Sequence, residues 1–499
     1  MKPTLTFSTM LLAAALTAPV ALAQQPGDAS TPPSGQTSTP AKPAATTPAS
    51  PATAAPEAAP PAATPVTDPA TDASKAADEA AAKAAEDSWK KGRPIAMQYY
   101  RPQDKRGINM FETSKDPGVP FTGFKLDVGA AFTSQMQDLS HRNTAAPNVV
   151  SGVNANQLMN IGFGFNNPTA NLNLHAQLAP GIRVALTSYL SARHHNETWV
   201  KDGYIQIDQS PIDFAPLKML MEIATVRVGD MEINYGDTHF RRSDNGNAIY
   251  NPFIGNYIMD AFTTQIGGEV YLKPGNLIAM AALTAGELRG TVQTPGKRGP
   301  VMIGKLGYDR QVNKDLRFRL TGSMYKTNRA MSDTLYSGDR AGSRYYFVLE
   351  NTAATESAQK DSGELQPGFA NRITAFQMNP FVKYRGLELF GVVEQAKGGT
   401  TAETSDRTWH QYALDTVYRF LPNDQLFVGA RYNKAKGQLV GIPNDVGANR
   451  WQLSGGWFIT ANVLAKVEYV NQKYFGYPAN NIKNGGKFNG LMAEGTIAF

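Results

Sequence analysis

Short turns and long connections alternate along most of this chain, and this alternation restricts its fold more than any other feature. Gly, Pro, Asn and Asp, which favour turns, are concentrated in seven short connections: residues 179–181, 210–216, 273–276, 309–315, 384–386, 421–424 and 460–462. Eight longer polar connections lie between them: residues 135–156, 193–199, 231–259, 288–300, 327–370, 398–408, 435–450 and 475–487. Seven short and eight long connections join sixteen segments. Because short and long connections alternate, every short turn lies at the same end of the sheet that these segments would form.

The segments between the connections have the two-residue period of β-strands. In "LRFRLTGSMY", residues 316–325, apolar side chains alternate with Arg317, Arg319 and Thr321. We interpret "FGFNNPTANLNLHAQL" as one long second strand that is interrupted near Pro168. If this stretch formed two strands, the strand number would be odd and the alternation of short and long connections would fail. Fourteen and eighteen strands are the even-numbered alternatives to sixteen.

The last twelve residues, "FNGLMAEGTIAF", have the same period. One face ends on Ile497 and Phe499, and Glu494 lies on the other face. We expect this strand to pair with the strand that begins near Phe121, because that pairing removes both open edges. The sequence therefore predicts an all-β fold, a closed antiparallel transmembrane β-barrel of about sixteen strands over residues 119–499, with its apolar faces against outer-membrane lipid.

The start of the chain predicts export. Residues 1–23 have the features of a secretory signal peptide: Lys2, a short apolar run, and "ALA" before Gln24. No run of about 20 apolar residues follows, and there is no Cys, so neither a transmembrane helix nor a lipoprotein anchor nor a disulfide framework is expected. An exported chain that enters a membrane as strands is expected in the outer membrane of a Gram-negative envelope. Phe499, with Ile497 two residues earlier, is then the predicted signal for the barrel-assembly machinery.

The segment between the signal peptide and the barrel has a different composition. Residues 24–70 are rich in Ala, Pro and Thr and predict a disordered spacer. Residues 71–92 predict a short Ala-rich helix, which is either a solvated spacer or an oligomerisation stalk, and residues 93–118 lead into the barrel. At roughly 3 Å per residue, the extended spacer could reach more than 100 Å. A structural barrel tethered to peptidoglycan is therefore the alternative to a channel.

The positive charge belongs to the folded part of the chain. Residues 1–88 contain 4 of the 48 Lys+Arg and 8 of the 42 Asp+Glu. The remaining residues therefore contain 44 basic and 34 acidic side chains, a net charge of +10. No basic helix or nucleic-acid-binding motif accompanies this excess, so no nucleic-acid partner is expected.

From about Gly107 to Phe499 the chain resembles a Gram-negative outer-membrane porin-like family, related in style to phosphate-selective porins and including uncharacterised outer-membrane porins. Four stretches carry the resemblance: "LTSYLSARHHNETWVKDGYIQID", "DRAGSRYYFVLENTAAT", "GGWFITANVLAKVEYVNQKYFGY" and "NGGKFNGLMAEGTIAF". The resemblance implies a diffusion porin, and porins of this style are commonly homotrimers. The chain lacks the dense ladder of Lys and Arg that a dedicated phosphate channel has, so the resemblance does not imply phosphate selectivity.

The third long connection contains the candidate pore constriction. General porins fold a loop of this rank into the lumen, and its charged residues here are Asp237, His239, Arg241, Arg242 and Asp244. We expect them to face arginines of the strands, namely Arg183, Arg227, Arg317, Arg319 and Arg431. Opposed charges at a constriction bias the passage of ions; the alternative is that the loop arginines are solvated. No other segment is expected to block the lumen.

Acidic side chains partly offset the arginines of the predicted lumen: Glu388, Glu394, Asp415, Glu468 and Glu494. Any preference for anions should therefore be mild. The sequence predicts passive diffusion of small hydrophilic solutes with weak anion selectivity, on the view that a sixteen-stranded barrel leaves an aqueous channel.

A barrel enzyme is a less favoured alternative. The sequence has no G-x-S-x-G motif, and its six His stand in no suggestive spacing from Ser or Asp. His194, His195 and Glu197 offer metal ligands, but adjacent side chains of an extended strand point in opposite directions. No catalytic residue, cofactor or metal is therefore expected.

Overall fold

The computed structural model describes residues 79–80, 83, 92–190, 198–288, 292, 294–339 and 344–499. The chain divides into one unit that ends at Ala85 and a second unit, Glu86–Phe499, that contains the barrel. In the first unit Glu79, Ala80 and Lys83 are helical and fall within the predicted Ala-rich helix. The predicted signal peptide and Pro-rich spacer lie outside the described residues.

The described residues form nineteen β-strands, several of them short. Their bounds are β1 (Lys125–Arg142), β2 (Val149–Val150), β3 (Val153–Asn154), β4 (Phe163–Phe165), β5 (Thr169–Ala179), β6 (Ile182–Leu190), β7 (Thr198–Ile207), β8 (Ala224–Glu232), β9 (Thr264–Leu272), β10 (Leu277–Thr284), β11 (Val301–Gln311), β12 (Leu316–Thr327), β13 (Arg372–Tyr384), β14 (Leu387–Gly399), β15 (Arg407–Phe420), β16 (Leu426–Gly437), β17 (Val446–Phe458), β18 (Val463–Phe475) and β19 (Lys487–Ala498).

Strand pairing closes these strands into a barrel. Consecutive strands pair from β5 to β19, every register is antiparallel, and β1 pairs with β19 on one side and with both β4 and β5 on the other. β4 and β5 lie along the same partner, so they are one strand interrupted beside Pro168, as predicted. The described residues therefore form a closed barrel of sixteen strands, and β2 and β3 form a separate small hairpin.

The pairing of β1 with β19 answers how the last strand is accommodated. Ala130 and Phe499 exchange two backbone hydrogen bonds of 3.0 Å. Glu494 faces the interior and is 1% exposed, whereas Ile497 faces outwards and is 42% exposed. The predicted closure of the barrel is confirmed, with the first strand beginning at Lys125.

The alternation of side chains separates an apolar outer surface from a polar interior. On β12, Phe318 and Leu320 are exposed on the outside, and Arg319 is buried on the inside. Leu306 and Leu453 are among many other apolar side chains exposed on the outside. An apolar outer band on a closed barrel is the surface that lipid covers, and the chain is an outer-membrane β-barrel.

Helical structure is brief in the barrel unit. One short α-helix, α1 (Ala215–Met221), lies between β7 and β8, with Pro at its first turn, where a missing N–H is tolerated. Short 3-10 segments occupy Lys105–Gly107, Thr238–Arg241, Pro295–Lys297, Glu356–Asp361 and Pro422–Asp424. Among the described residues, no helix has the length and apolar composition needed to cross a membrane.

Three segments enter the barrel and fill its interior. We name them the floor (residues 92–119, at the short-turn end), the inward loop (residues 233–263, between β8 and β9) and the lid loop (residues 328–339 and 344–371, between β12 and β13). Entry of the inward loop was predicted from the sequence. The expectation that no other segment blocks the lumen is wrong, because the floor and the lid loop supply hydrogen-bonding partners to the polar wall. Nearly all inward-facing side chains of the strands are shielded from solvent as a result.

Candidate functional site

The floor crosses the short-turn end of the barrel. Its Gln98 side chain accepts a hydrogen bond from the backbone N–H of Gly181, in the β5–β6 turn, at 2.9 Å. The backbone N–H of Lys105 donates to the carbonyl of Ala461, in the β17–β18 turn, at 2.9 Å. The floor is therefore fixed to turns between different strand pairs.

Two further contacts extend the floor across the mouth. The ammonium of Lys115 donates to the carbonyls of Asp208 and Ala224 at 2.7 and 2.6 Å, beside the β7–β8 connection. The amide of Asn109 donates to the Glu388 carboxylate of β14 at 2.6 Å. All these contacts are polar, so water can replace them if the floor withdraws.

The inward loop is bonded to the wall through its own backbone. The N–H of Ile254 donates to the Glu468 carboxylate at 2.7 Å, and the N–H of Ile258 donates to Asn433 at 2.6 Å. Ile254 and Ile258 are fully buried in an apolar cluster that also contains wall and lid-loop residues. Wall residues therefore satisfy backbone groups of a loop that has no strand partners of its own.

Asp237 lies where the inward loop, the floor and the wall meet. The Arg319 guanidinium donates to its carboxylate at 2.8 and 2.9 Å, and the Lys305 ammonium lies 2.6 Å away. Glu112 of the floor pairs with the same two cations, at 2.8 Å to Arg319 and 3.0 Å to Lys305. Burial raises the pKa of Asp237, but Lys305 and Arg319 outweigh burial and hold that pKa below its usual range. Two acids and two bases thus join the three parts.

Arg241 makes a second link between the inward loop and the floor. Its guanidinium bonds to the side chain of Asn109 and lies 3.4 Å from the Glu388 carboxylate. The rings of Phe381 and Phe390 lie 5.5 and 5.1 Å from it, within the range of a cation–π contact. Arg241 is 1% exposed, so it is a buried partner of the wall and not a solvated loop residue.

Arg242 points the other way, towards the lid loop. It pairs with Asp260 at 2.6 Å and with Asp339 of the lid loop, and it lies 3.4 Å from Asp244. Asp244 also accepts the ammonium of Lys201, on β7, at 2.8 Å. The two adjacent arginines of the inward loop therefore join it to opposite neighbours, the floor and the lid loop.

His239 sits at the base of the inward loop. Its Nδ1 lies 2.5 Å from a Glu232 carboxylate oxygen, and its Nε2 lies 3.0 Å from the Asn234 side-chain oxygen. Burial lowers the pKa of His239 and outweighs the opposing effect of Glu232. The imidazole thus connects neighbouring parts of the loop base.

The predicted wall arginines differ in what they meet. Arg319 faces Asp237, as expected for opposed charges of loop and wall. Arg431 pairs with Asp415 on the adjacent strand at 2.6 Å and donates to the carbonyl of Gly255, in the inward loop, at 3.0 Å. Arg431 therefore supports the loop backbone and not a loop carboxylate.

The other three wall arginines bond partners outside the charged set of the inward loop. Arg317 pairs with Asp309 at 2.7 Å and donates to the carbonyl of Asn109 in the floor at 2.8 Å. Arg183 and Arg227 share the side-chain oxygen of Gln206, at 3.0 and 2.9 Å. The structure thus brings part of the predicted constriction set together and distributes the rest around the floor.

The lid loop closes the long-loop end with tyrosines that reach wall carboxylates. The Tyr345 hydroxyl donates to Glu468 at 2.6 Å, and the Tyr336 hydroxyl donates to Glu394 at 2.8 Å. The backbone N–H of Leu365 donates to the carbonyl of the inward-loop residue Ile258 at 2.7 Å. Wall carboxylates that could line a water-filled path are hydrogen-bonded to the lid loop in this state.

Sequence reasoning missed the lysines of the interior. Lys466 pairs with Glu494 at 2.6 Å, and its ammonium donates at 3.0 Å to three inward-loop carbonyls, those of Ala248, Asn251 and Phe253. The two-residue period of β18 places Lys466 on the inward face, so the signal was present in the sequence. The constriction set predicted from the sequence contains arginines but no lysine.

His194, His195 and Glu197, which were weighed as metal ligands, lie outside the described residues. The predicted assembly signal is placed at the barrel seam, with Phe499 44% exposed beside β1. Its recognition by assembly machinery stays a prediction.

No protein-family model matches the sequence, and a comparison with curated proteins finds no match. Solved structures that resemble the chain include outer-membrane porins and channels. They include an anion-selective porin from Comamonas acidovorans (13% identity, 75% of this chain and 100% of that chain, TM-score 0.44) and OprB of Pseudomonas putida (11%, 76% and 94%, 0.45). The outer-membrane channel DcaP of Acinetobacter baumannii is similar at 10% identity, over 76% of this chain and 99% of that chain, with a TM-score of 0.43. Likeness at this level transfers no solute and no selectivity to this chain.

Proposed function

We propose that the chain is an outer-membrane channel for passive diffusion of small hydrophilic solutes, with weak anion selectivity, and that the state described here is closed. One observation carries the proposal: charged pairs such as Asp237–Arg319 join the wall of a sixteen-stranded barrel to segments that are not part of the wall. A barrel of this size leaves room for an aqueous channel when nothing fills it. This function requires no catalytic residue and no cofactor.

The contacts of the floor indicate how the channel opens. Glu112, Lys115 and Asn109 bind the wall through polar groups, which water solvates after withdrawal. The floor also adds Phe111 to a small apolar cluster and packs Ile108 against another. The inward loop is held by more numerous backbone contacts and contributes more side chains to the two larger apolar clusters, so it is the segment that stays and narrows the open lumen. The proposed constriction is therefore formed by its charged residues: Asp237, His239, Arg241, Arg242 and Asp244.

The charges exposed by withdrawal of the floor support a mild preference for anions. Lys305, Arg317 and Arg319 would lose the partners that the floor supplies. Asp237 and Asp309 would remain beside them and compensate part of that charge. The folded part of the chain is also net positive, which favours anions near the mouth.

Planar-bilayer recordings of the full chain under a salt gradient test the proposal. We expect discrete openings whose reversal potential lies slightly on the anion side. A reversal potential on the cation side would overturn the selectivity. Complete absence of openings over long recordings would favour a structural barrel.

A structural barrel is the second candidate because the interior is filled and a long Pro-rich spacer precedes the floor in the sequence. In that role the spacer would hold the outer membrane to peptidoglycan. Co-sedimentation of the folded protein with purified peptidoglycan, with and without residues 24–92, separates this candidate from a channel with a passive leader. Equal sedimentation of the two forms would remove the tether.

The oligomeric state follows from the resemblance alone. A homotrimer stays a prediction, which sedimentation of the detergent-solubilised protein with corrected detergent mass would check. A monomer as the only species would contradict it.

A further inference from the structure

Three carboxylates meet where the inward loop packs against the lid loop. Asp260 comes from the inward loop, and Asp339 and Glu364 come from the lid loop. Each residue offers one carboxylate oxygen, and these oxygens all lie within 4.8 Å of one another. The three residues are 6, 8 and 6% exposed, so the cluster is shielded from bulk water.

One carboxylate oxygen of this cluster is buried without a hydrogen-bond partner in the part of the chain that the structure describes. Arg242 pairs with Asp260 and with Asp339. The Oε1 atom of Glu364 is buried and has no hydrogen-bond partner among the described residues. The Glu364 carboxylate therefore brings a negative charge into the cluster without a hydrogen-bond donor from the described residues at Oε1, and a cation bound there would satisfy it.

Leaving the Glu364 carboxylate unpaired would be costly, since a buried charge without a partner is strongly destabilising. The cluster therefore needs either a cation or a proton. Its position between two separate loops favours a cation, because an ion can be bound by both loops at once.

The spacing and the ligand type fit a hard cation. Ca²⁺ binds oxygen ligands at about 2.3–2.6 Å, so two oxygens on one ion are at most about 5 Å apart. Carboxylates from two loops, completed by backbone oxygens or water, are a Ca²⁺ ligand set. Mg²⁺ demands a smaller and more regular octahedral arrangement.

We propose that Asp260, Asp339 and Glu364 bind one divalent cation, Ca²⁺ by its ligand set, and that this ion joins the inward loop to the lid loop. The site is independent of whether the barrel conducts, because ion binding is measured on the folded protein without any transport assay. Its failure and the failure of the channel proposal are therefore distinguishable.

Equilibrium dialysis of the full chain against Ca²⁺ tests the site. The protein is refolded in a non-ionic detergent, which removes lipopolysaccharide as a competing Ca²⁺ ligand, and is stripped with a chelator at neutral pH. We expect one ion per chain with a Kd of about 10⁻⁴ to 10⁻³ M, the range of extracellular Ca²⁺ modules. Glu364→Gln, which keeps the shape and removes the charge, should weaken binding at least about tenfold.

Glu356→Gln is the matched control, because Glu356 is an exposed acid of the same lid loop. It should leave binding unchanged. Equal Ca²⁺ affinity of Glu364→Gln and the wild type would overturn the proposal. Absence of wild-type binding at millimolar Ca²⁺ would also overturn it, and would indicate that a proton satisfies the buried carboxylate. If Glu364→Gln fails to show the gel mobility of a folded barrel, Glu364→Asp replaces it. Glu364→Asp retains the charge but withdraws the carboxylate by one methylene, so it should also weaken Ca²⁺ binding.

Discussion

Glu112→Gln should release the floor from the barrel mouth. The Glu112 carboxylate is 4% exposed, lies 2.8 Å from Arg319 and 3.0 Å from Lys305, and accepts from Asn234 at 3.0 Å. Burial raises the pKa of Glu112, but Arg319 and Lys305 outweigh burial and hold the pKa well below its usual range, so the group is ionised at neutral pH. The substitution keeps the shape and removes the charge.

The expected effect on docking follows from the loss of a buried ion pair. Removing one partner of such a pair costs about 3–5 kcal/mol. Asp237 still pairs with both cations, and Asp309 still pairs with Arg319, so the lower end applies. Each 1.4 kcal/mol is about a factor of ten. Since Glu112 is the floor's contribution to the network, the population with an undocked floor should rise about 100-fold.

Trypsin cleavage after Lys105 reports this population. The backbone of Lys105 is hydrogen-bonded to Ala461, so the protease reaches it only after the floor undocks. Cleavage tracks the open population when docking is fast relative to proteolysis. Mass spectrometry of the detergent-solubilised full chain should show cleavage about 100-fold faster in Glu112→Gln. Asp116→Asn, an exposed acid of the same segment, is the control, and equal rates in the two variants would refute the reasoning.

Three further predictions concern the lid loop, the seam and the floor. Burial raises the pKa of Asp333 to about 7, although Tyr325 donates a hydrogen bond to its carboxylate. The folded state therefore holds an extra proton, and the free energy of unfolding should fall by at most about 4 kcal/mol as pH rises from about 4 to 7. Asp333→Asn should flatten the pH dependence of the thermal transition, and an unchanged slope would contradict this. Deleting Phe499, whose backbone pairs with β1, should lower the amount of assembled protein in outer-membrane fractions while single-channel properties persist; normal levels would count against it. Gly107→Val should speed trypsin cleavage of the floor, because a Cβ at Gly107 would approach the Tyr250 ring to 2.7 Å; wild-type rates would show that the floor adapts.

The barrel was predictable because its signals are local. A two-residue period identifies a strand without reference to its partner, and turn residues mark where it ends. The interruption near Pro168 was also readable: β4 and β5 lie on either side of it and share β1 as partner, and Pro has no N–H to donate to the ladder. Because β4 and β5 count as one strand, the barrel has an even number of strands.

The filling of the lumen was not predictable in the same way. Asn109 and Glu388 are 279 residues apart, and their contact depends on the register of every strand between them. Residues 93–118 have no periodicity, so nothing in the segment indicated that it would enter the barrel. Opposed charges on the inward loop and the wall were foreseen, but the pairing of Asp237 with Arg319 and Lys305 is set by three-dimensional position. The tyrosines of the lid loop, such as Tyr345, and the inward-facing Lys466 were signals in the sequence that the prediction did not use.

The central claim is that a wide barrel is closed by segments that can leave it. The test variant lacks residues 24–119 and carries a short Gly/Ser linker in place of residues 334–365. Its planar-bilayer conductance should be compared with that of the full chain, after both forms show the gel mobility of a folded barrel. The account predicts a full chain that is closed except for brief openings, and a variant with sustained conductance that only the inward loop narrows. Equal conductance of the two forms, or a folded variant that does not conduct, would contradict it.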